Sequence, residues 1–337
     1  MEVPSDLEGR EVQMLDSIAT PAIAIDDLTR TFKGPQGSVK HAINGLSLRV
    51  ERGEMVGLLG PNGAGKTSTA KILMTVLLPT SGKAGILGHD VVRDPQTARR
   101  VTGVILGGDA GLYARLTAVD NLLLFADLYG IPYREQKPRI RDLLDMVGLL
   151  GNERKRVESF SRGMKQRLHI ARGLLHDPDV VILDEPSNGI DPVGARELRA
   201  LIREQVRDGR SVLLTTHYMF EADELCDRVA VMRDGTKIAE GTPDSLKKQT
   251  DGQVVLTVTV SGVGEDHVGR LRALPGVRSV GLTEHGGSQT LDVHSGQETD
   301  VTAAVLAELR GLSVIQVSKR EPTLEDAYVS LISQDRR

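Results

Sequence analysis

The run GPNGAGKT, Gly60 to Thr67, limits what this chain can fold into more sharply than any other part of it. It has the spacing G-x-x-x-x-G-K-[ST], whose glycines let backbone N–H groups wrap a phosphate chain. Lys66 can reach the β and γ phosphates of a nucleotide, and the Thr67 hydroxyl suits Mg²⁺. Such a loop belongs between a strand and a helix N-terminus. Both are legible. Residues 54–59 read as a strand, and from Gly65 to about Leu78 the residues Ile72, Leu73, Val76 and Leu77 share one helical face. The candidate phosphate cradle is Gly60, Pro61, Asn62, Gly63, Ala64, Gly65, Lys66, Thr67 and Ser68.

Two later runs extend the pattern. DVVILDE and RSVLLTTH are short and almost continuously apolar, as expected of buried parallel strands, with a helix from about Pro192 to Arg207 between them. Together with strands at 22–33, 45–50 and VTGVIL, and helical stretches within 120–149 and 161–175, they make the first 240 residues an α/β domain on a parallel sheet. Asp184 ends one strand, where its carboxylate can hold Mg²⁺ through water, and Glu185 follows, placed to orient or deprotonate an attacking water. His217 ends the next strand, at the carboxyl edge where such sheets bind ligands. Lys66, Glu185 and His217 are therefore the candidate catalytic residues, and Thr67 and Asp184 the candidate metal ligands.

Composition removes competing classes. Formal net charge is -4 with acids and bases mixed, which leaves no electrostatic footprint for nucleic acid. Aromatics are 3% and Trp is absent, too few for a base-stacking surface. The single cysteine, Cys226, cannot form an internal disulfide and reads as a buried, inert thiol. No apolar run approaches the ~20 residues of a membrane helix, and no signal peptide is visible. A cytoplasmic protein is expected, one that needs a second chain to span any membrane it serves. No Asn is followed by Lys, so the guanine motif of a GTPase is missing. The stretch between Thr67 and Ser161 is globular in pattern, without the coiled coils of repair and chromosome ATPases.

Over SFSRGMKQRLHIARGLLHDPDVVILDEPSNGIDP the chain resembles the ATP-binding subunit of an ABC transporter, and the resemblance covers roughly residues 22–245. FSRGMKQRL is similar to the signature motif, which implies that Ser161 and Gly163 contact the γ-phosphate of ATP held by the other subunit. Arg162 stands where glycine is common and Met164 where glutamine is common, both compatible with the drug-exporter branch. NGIDP resembles the D-loop, centred on Asp191, and LTTHYMFEADELCDRVAVM resembles the switch region, with His217 as γ-phosphate sensor. LTRTF places Phe32 where the family stacks an aromatic on adenine. The resemblance implies a P-loop ABC ATPase fold: a parallel-sheet core, a helical subdomain and N-terminal antiparallel strands. It also implies ATP and Mg²⁺ as cofactors and closure of two subunits head to tail around two ATPs. Finally, it implies hydrolysis coupled to a separate multispan permease at the cytoplasmic face of the membrane. A soluble, non-transport ABC ATPase with a regulatory role is the alternative.

After IAEGTPDSLKKQTDG the rhythm changes. The expected organisation is a mobile extension over 1–20, the ATP-binding domain over 21–250 and an accessory domain over 251–337. The accessory domain reads strand (253–260), helix (265–274), strands (277–282 and 289–294, joined by EHGGSQ), helix (298–309) and strand (LSVIQVS). That order predicts an α+β ferredoxin-like sandwich. A closing helix follows, with Pro322 in its first turn. This part resembles the C-terminal region of daunorubicin-resistance-type ABC ATPases, which pair with ABC-2 permeases and export drugs, polyketides, lipids or polysaccharides. A homodimer is expected, with the accessory domain extending its interface.

After the strand GVIL the chain departs from the family, which usually places a glutamine there. Counting from the strand, that position is Gly107; counting back from LYARLT, it is Gly108. Asp109 is the only nearby side chain that could reach Mg²⁺ instead, and it is expected to face solvent while water fills the gap.

Overall fold

A computed structural model of the chain describes residues 20–34, 38–108, 111–248, 253–285, 288–296 and 299–334. Residues 1–19 of the expected N-terminal extension and Asp109 lie outside them. The chain divides into two compact units, Met1–Glu240 and Gly241–Arg337. The division falls earlier than the boundary read at residue 250. The short helix Pro243–Lys248, which looked like an exit from the first domain, packs on the closing helix Leu324–Gln334 with Leu246 wholly buried.

The first unit carries β1 (Ile23–Lys33), β2 (Val39–Val50), β3 (Met55–Leu59), β4 (Ser81–Ile86), β5 (His89–Asp90), β6 (Thr102–Leu106), β7 (Val180–Asp184), β8 (Ser211–Thr216), β9 (Arg228–Arg233) and β10 (Thr236–Gly241). Its central sheet has the order β10-β9-β3-β8-β7-β6, and the pairings from β9 through to β6 are parallel. Every residue of β3 and β8 is buried, which suits strands covered on both faces. This order sets the carboxyl ends of β3, β8 and β7 side by side. In register, Leu59 pairs with Thr216 and Asp184 with Thr215. The loop at Gly60, the Asp184–Glu185 pair and His217 are therefore neighbours because of strand order alone.

A second, antiparallel sheet has the order β2-β1-β4-β5. β4, with the sequence SGKAGI, has little β-propensity of its own and is held by the β1 ladder. The two sheets share one core, in which Ile23, Leu28 and Ile43 of the antiparallel sheet join Val56, Ile72, Ile182 and Leu213. Each such aliphatic side chain contributes about 1.5–3 kcal/mol by leaving water. Gly57 of β3 leaves a notch for the Cys226 sulfur, which would lie 2.8 Å from any Cβ placed there.

The helix after the phosphate loop is Lys66–Leu73, shorter than the periodicity suggested. Thr75 turns the chain at φ 61, and Val76 and Leu78 emerge to the surface. The helices Ala118–Leu128, Tyr133–Met146 and Arg162–Gly173 lie between β6 and β7 in sequence and pack on one another. Thr117 opens the first of them by accepting a hydrogen bond from the Asp120 N–H at 3.1 Å.

In the second unit, β11 (Gln253–Ser261), β12 (Val277–His285), β13 (Ser288–Gly296) and β14 (Ser313–Arg320) form an antiparallel sheet of order β12-β13-β11-β14. The helices Glu265–Arg272 and Thr302–Glu308 complete the expected βαββαβ arrangement. Leu256, Val258, Val260, Leu291 and Val293 face Val268, Leu271 and Val305 in its core. Pro322 stands before the closing helix rather than in its first turn. There Thr323 and Asp326 cap each other, with Thr323 N donating to Asp326 Oδ2 at 2.7 Å and Asp326 N to Thr323 Oγ1 at 3.3 Å.

Candidate active site

The loop Gly60–Gly65 turns tightly between β3 and its helix. Gly65 sits at φ 106, and a Cβ there would collide with the carbonyl oxygen of Ala42. Lys66 is 3% exposed, and its ammonium donates to the carbonyl oxygens of Gly60 at 2.7 Å and Pro61 at 3.1 Å. It also lies 3.4 Å from Glu185 Oε1.

Thr67 Oγ1 donates to Asp184 Oδ1 at 3.2 Å, which joins the start of the helix to the end of β7. The same carboxylate oxygen accepts from Thr215 Oγ1 at 2.5 Å. Glu185 has a left-handed backbone, φ 49, uncommon for a side chain of this kind. Its N–H donates to the Thr215 carbonyl at 3.0 Å, which fixes that turn. Its carboxylate reaches His217, with Oε2 3.0 Å from Nδ1. A carboxylate only accepts, so Nδ1 carries the hydrogen. Thr215 escaped the sequence reading because only the β7–β8 register reveals that it faces Asp184.

Two clefts open on these residues. One, of about 270 Å³, is lined by Phe32, Lys40, Asn62, Gly63, Lys66 and Glu185, among others. Phe32 is 40% exposed, with the Arg30 guanidinium 4.6 Å from its ring centroid. The other, of about 540 Å³, runs past Thr67, Asp184 and Glu185 to Gly107, Gly108, Arg162 and Gln166. The oxygen donors of Thr67 and Asp184 are hard ligands of the kind Mg²⁺ takes, and they lie close enough to share one ion.

The glycine pair has two distinct members. A Cβ on Gly107 would collide with the Glu185 carbonyl, whereas Gly108, at φ 83, faces open space. Sterically, only Gly108 is a position from which a side chain could enter the cleft. Gly108 is tied down through its carbonyl, 3.0 Å from His169 Nε2.

Ser161 caps the helix Arg162–Gly173, its hydroxyl accepting from the Met164 N–H at 3.2 Å, and Gly163 lies in the first turn. Asp191 caps the helix Pro192–Arg207 by accepting from Gly194 N at 3.0 Å and Val193 N at 3.1 Å. The Gly194 N–H holds its carboxyl below the usual carboxylate range. Ser161, Gly163 and Asp191 line neither of these two clefts.

Residues 43–188 match the family described as ABC transporter, and residues 241–332 match the family described as ATP-binding protein DrrA1-3-like, C-terminal domain. The daunorubicin resistance ATP-binding protein DrrA3 of Streptomyces coeruleorubidus is 37% identical over 322 residues, 95% of this chain and 98% of that protein. The bacitracin transport ATP-binding protein BcrA of Bacillus licheniformis is 34% identical over 315 residues, 92% of this chain and 97% of that protein. Among solved structures, an ATP-binding subunit of an ABC transporter superposes with a TM-score of 0.60 at 32% identity, over 68% of this chain and 93% of that one. With the loop Gly60–Thr67, the acidic pair Asp184–Glu185 and His217 gathered at one edge of a parallel sheet, the chain belongs to the ATP-hydrolysing, ATP-binding subunits of ABC transporters, in the branch that carries a DrrA-like C-terminal domain.

Proposed function

We propose that this chain is the nucleotide-binding subunit of an ABC-2-type exporter. In this reading it forms a homodimer on ATP and works at the cytoplasmic face of the membrane with a separate multispan permease. The relatives named for resistance or transport match almost the whole chain, second unit included, which favours this reading over a soluble regulatory ATPase. Among the described residues no helix is long and apolar enough to cross a membrane. The cargo class is a drug, natural product, lipid or polysaccharide.

The observation that carries the chemistry is that Lys66 and His217 both meet the Glu185 carboxylate, one at each oxygen. Lys66 binds the β and γ phosphates, and Glu185 orients the attacking water and takes its proton. His217 already donates from Nδ1 to Glu185. It can donate from Nε2 to a phosphate only as imidazolium. Mg²⁺, held by Thr67 and Asp184, would supply neutralising charge to the phosphates. Phe32 offers an exposed ring face to the adenine. In the dimer, Ser161, Gly163 and Asp191 act on the partner's nucleotide. Their placement outside both clefts of a single chain agrees with that.

Glu185→Gln tests the reading. The variant should bind MgATP and accumulate as a dimer visible by light scattering, with turnover reduced at least ~10²-fold, the usual worth of a general base. Wild-type turnover would remove Glu185 from catalysis. Co-purification with a multispan membrane protein tests the transport half.

A further inference from the structure

Glu221 lies in the helix Met219–Leu225 and is 1% exposed. A carboxylate so buried is costly unless it is paired, and both of its oxygens are used. Oε1 accepts from Ser187 Oγ at 2.8 Å, and Oε2 accepts from Thr216 Oγ1 at 2.6 Å. Thr216 Oγ1 in turn accepts from the Tyr218 N–H at 3.0 Å. Burial pushes the Glu221 carboxyl up, against these hydrogen bonds and the nearby Arg199 and His217.

The two anchors lie at the ends of neighbouring strands, one just beyond β7 and one on the last residue of β8. Ser187 follows Glu185 closely after β7, and Thr216 directly precedes His217 at the end of β8. One buried carboxylate therefore spans the gap that the Glu185–His217 bond also crosses. Ser187 further begins the turn toward Asp191, since its carbonyl accepts from Ile190 N at 3.2 Å. Packing alone would be served as well by an apolar side chain of similar volume, because buried charged groups give little net stability. What the carboxylate adds is a fixed distance between two loops.

We propose that Glu221 is a positioning residue for hydrolysis, its carboxylate clamping the Ser187 and Thr216 hydroxyls and so setting Glu185 against His217. This rests on the assignment of Glu185 and His217 to hydrolysis.

The test uses the full-length protein with ATP as probe, and turnover is normalised to the fraction that binds nucleotide. Glu221→Leu should lower kcat at least ~10-fold and leave KM within about threefold, because the phosphate loop is untouched. Glu221→Gln, which can still bond both hydroxyls, should stay within about threefold of wild type. Glu221→Leu with kcat within about twofold of wild type would overturn the proposal. So would Glu221→Gln as slow as Glu221→Leu, since charge rather than geometry would then matter. If Glu221→Leu fails to fold, Ser187→Ala removes one anchor only, and a loss of about threefold or more in kcat at constant KM is expected; no loss overturns the clamp. Glu185→Gln is the control. If it turns over normally, the site assignment is at fault; if it is inactive while Glu221→Leu is active, only the role of Glu221 falls.

Discussion

At the scale of single residues, Lys66 is held on several sides at once. Its ammonium is buried among the carbonyls of its own loop and beside Glu185. Lys66→Ala would leave those carbonyls without their charged donor and the phosphates without a cation. ATP turnover should fall below detection in purified protein, while the melting temperature reports whether the loop still folds. Wild-type turnover would contradict the assignment. That Lys66, Thr67, Asp184, Glu185 and His217 would lie together was legible, because the loop and the two strand ends carry recognisable patterns. The backbone of Glu185 and the partnership of Asp184 with Thr215 were not, since they depend on a turn angle and on which strand lies alongside.

At the scale of elements, the short loop after β6 separates two kinds of glycine. Gly107 donates its N–H to the Asp184 carbonyl at 3.0 Å and has no room for a Cβ. Gly107→Ala should therefore push on the Glu185 backbone, costing about 1–3 kcal/mol as overpacking does, and slow hydrolysis at least ~10-fold. Gly108→Ala meets open space and pays only for its left-handed backbone, about 1–2 kcal/mol, with most activity kept. Equal effects of the two would refute this distinction, and ATPase assays with thermal melts measure it. From the sequence, Asp109→Ala is expected to retain activity within about tenfold, roughly 1.4 kcal/mol of barrier; a larger loss in a folded variant would make Asp109 a ligand. Strands with strong apolar runs, β3, β7 and β8, could be read directly. β4, rich in glycine and polar residues, could not, because its conformation is imposed by the β1 ladder.

At the scale of the whole molecule, the division at Gly241 leaves every proposed nucleotide-contacting residue, Phe32 to His217, in the first unit. A chain ending at Glu240 should keep nucleotide affinity within about threefold and lose dimer stability or coupling to the permease, as read by equilibrium dialysis and light scattering. A folded truncation that no longer binds ATP would show that the second unit shapes the site. The βαββαβ order of that unit was legible because Leu256, Val258 and Val260 of β11 and Leu291 and Val293 of β13 alternate over one core, although β14 is exposed along almost all of its length. The compact units divide at Gly241 rather than near residue 250, because Pro243–Lys248, which looks like a polar exit helix, packs on Leu324–Gln334.

The notch that Gly57 leaves for Cys226 gives this protein a built-in reporter. The thiol is 7% exposed, burial pushes it up well beyond its ordinary range, and it rests on the strand that leads into the phosphate loop. As the chain's single cysteine, it has no rival for a thiol reagent. In native conditions its labelling rate should be far below that of the unfolded chain and should measure how often β3 parts from its surroundings. A nucleotide held by the loop at the end of that strand would slow labelling further, so affinity could be followed by a colour change at one sulfur without any turnover.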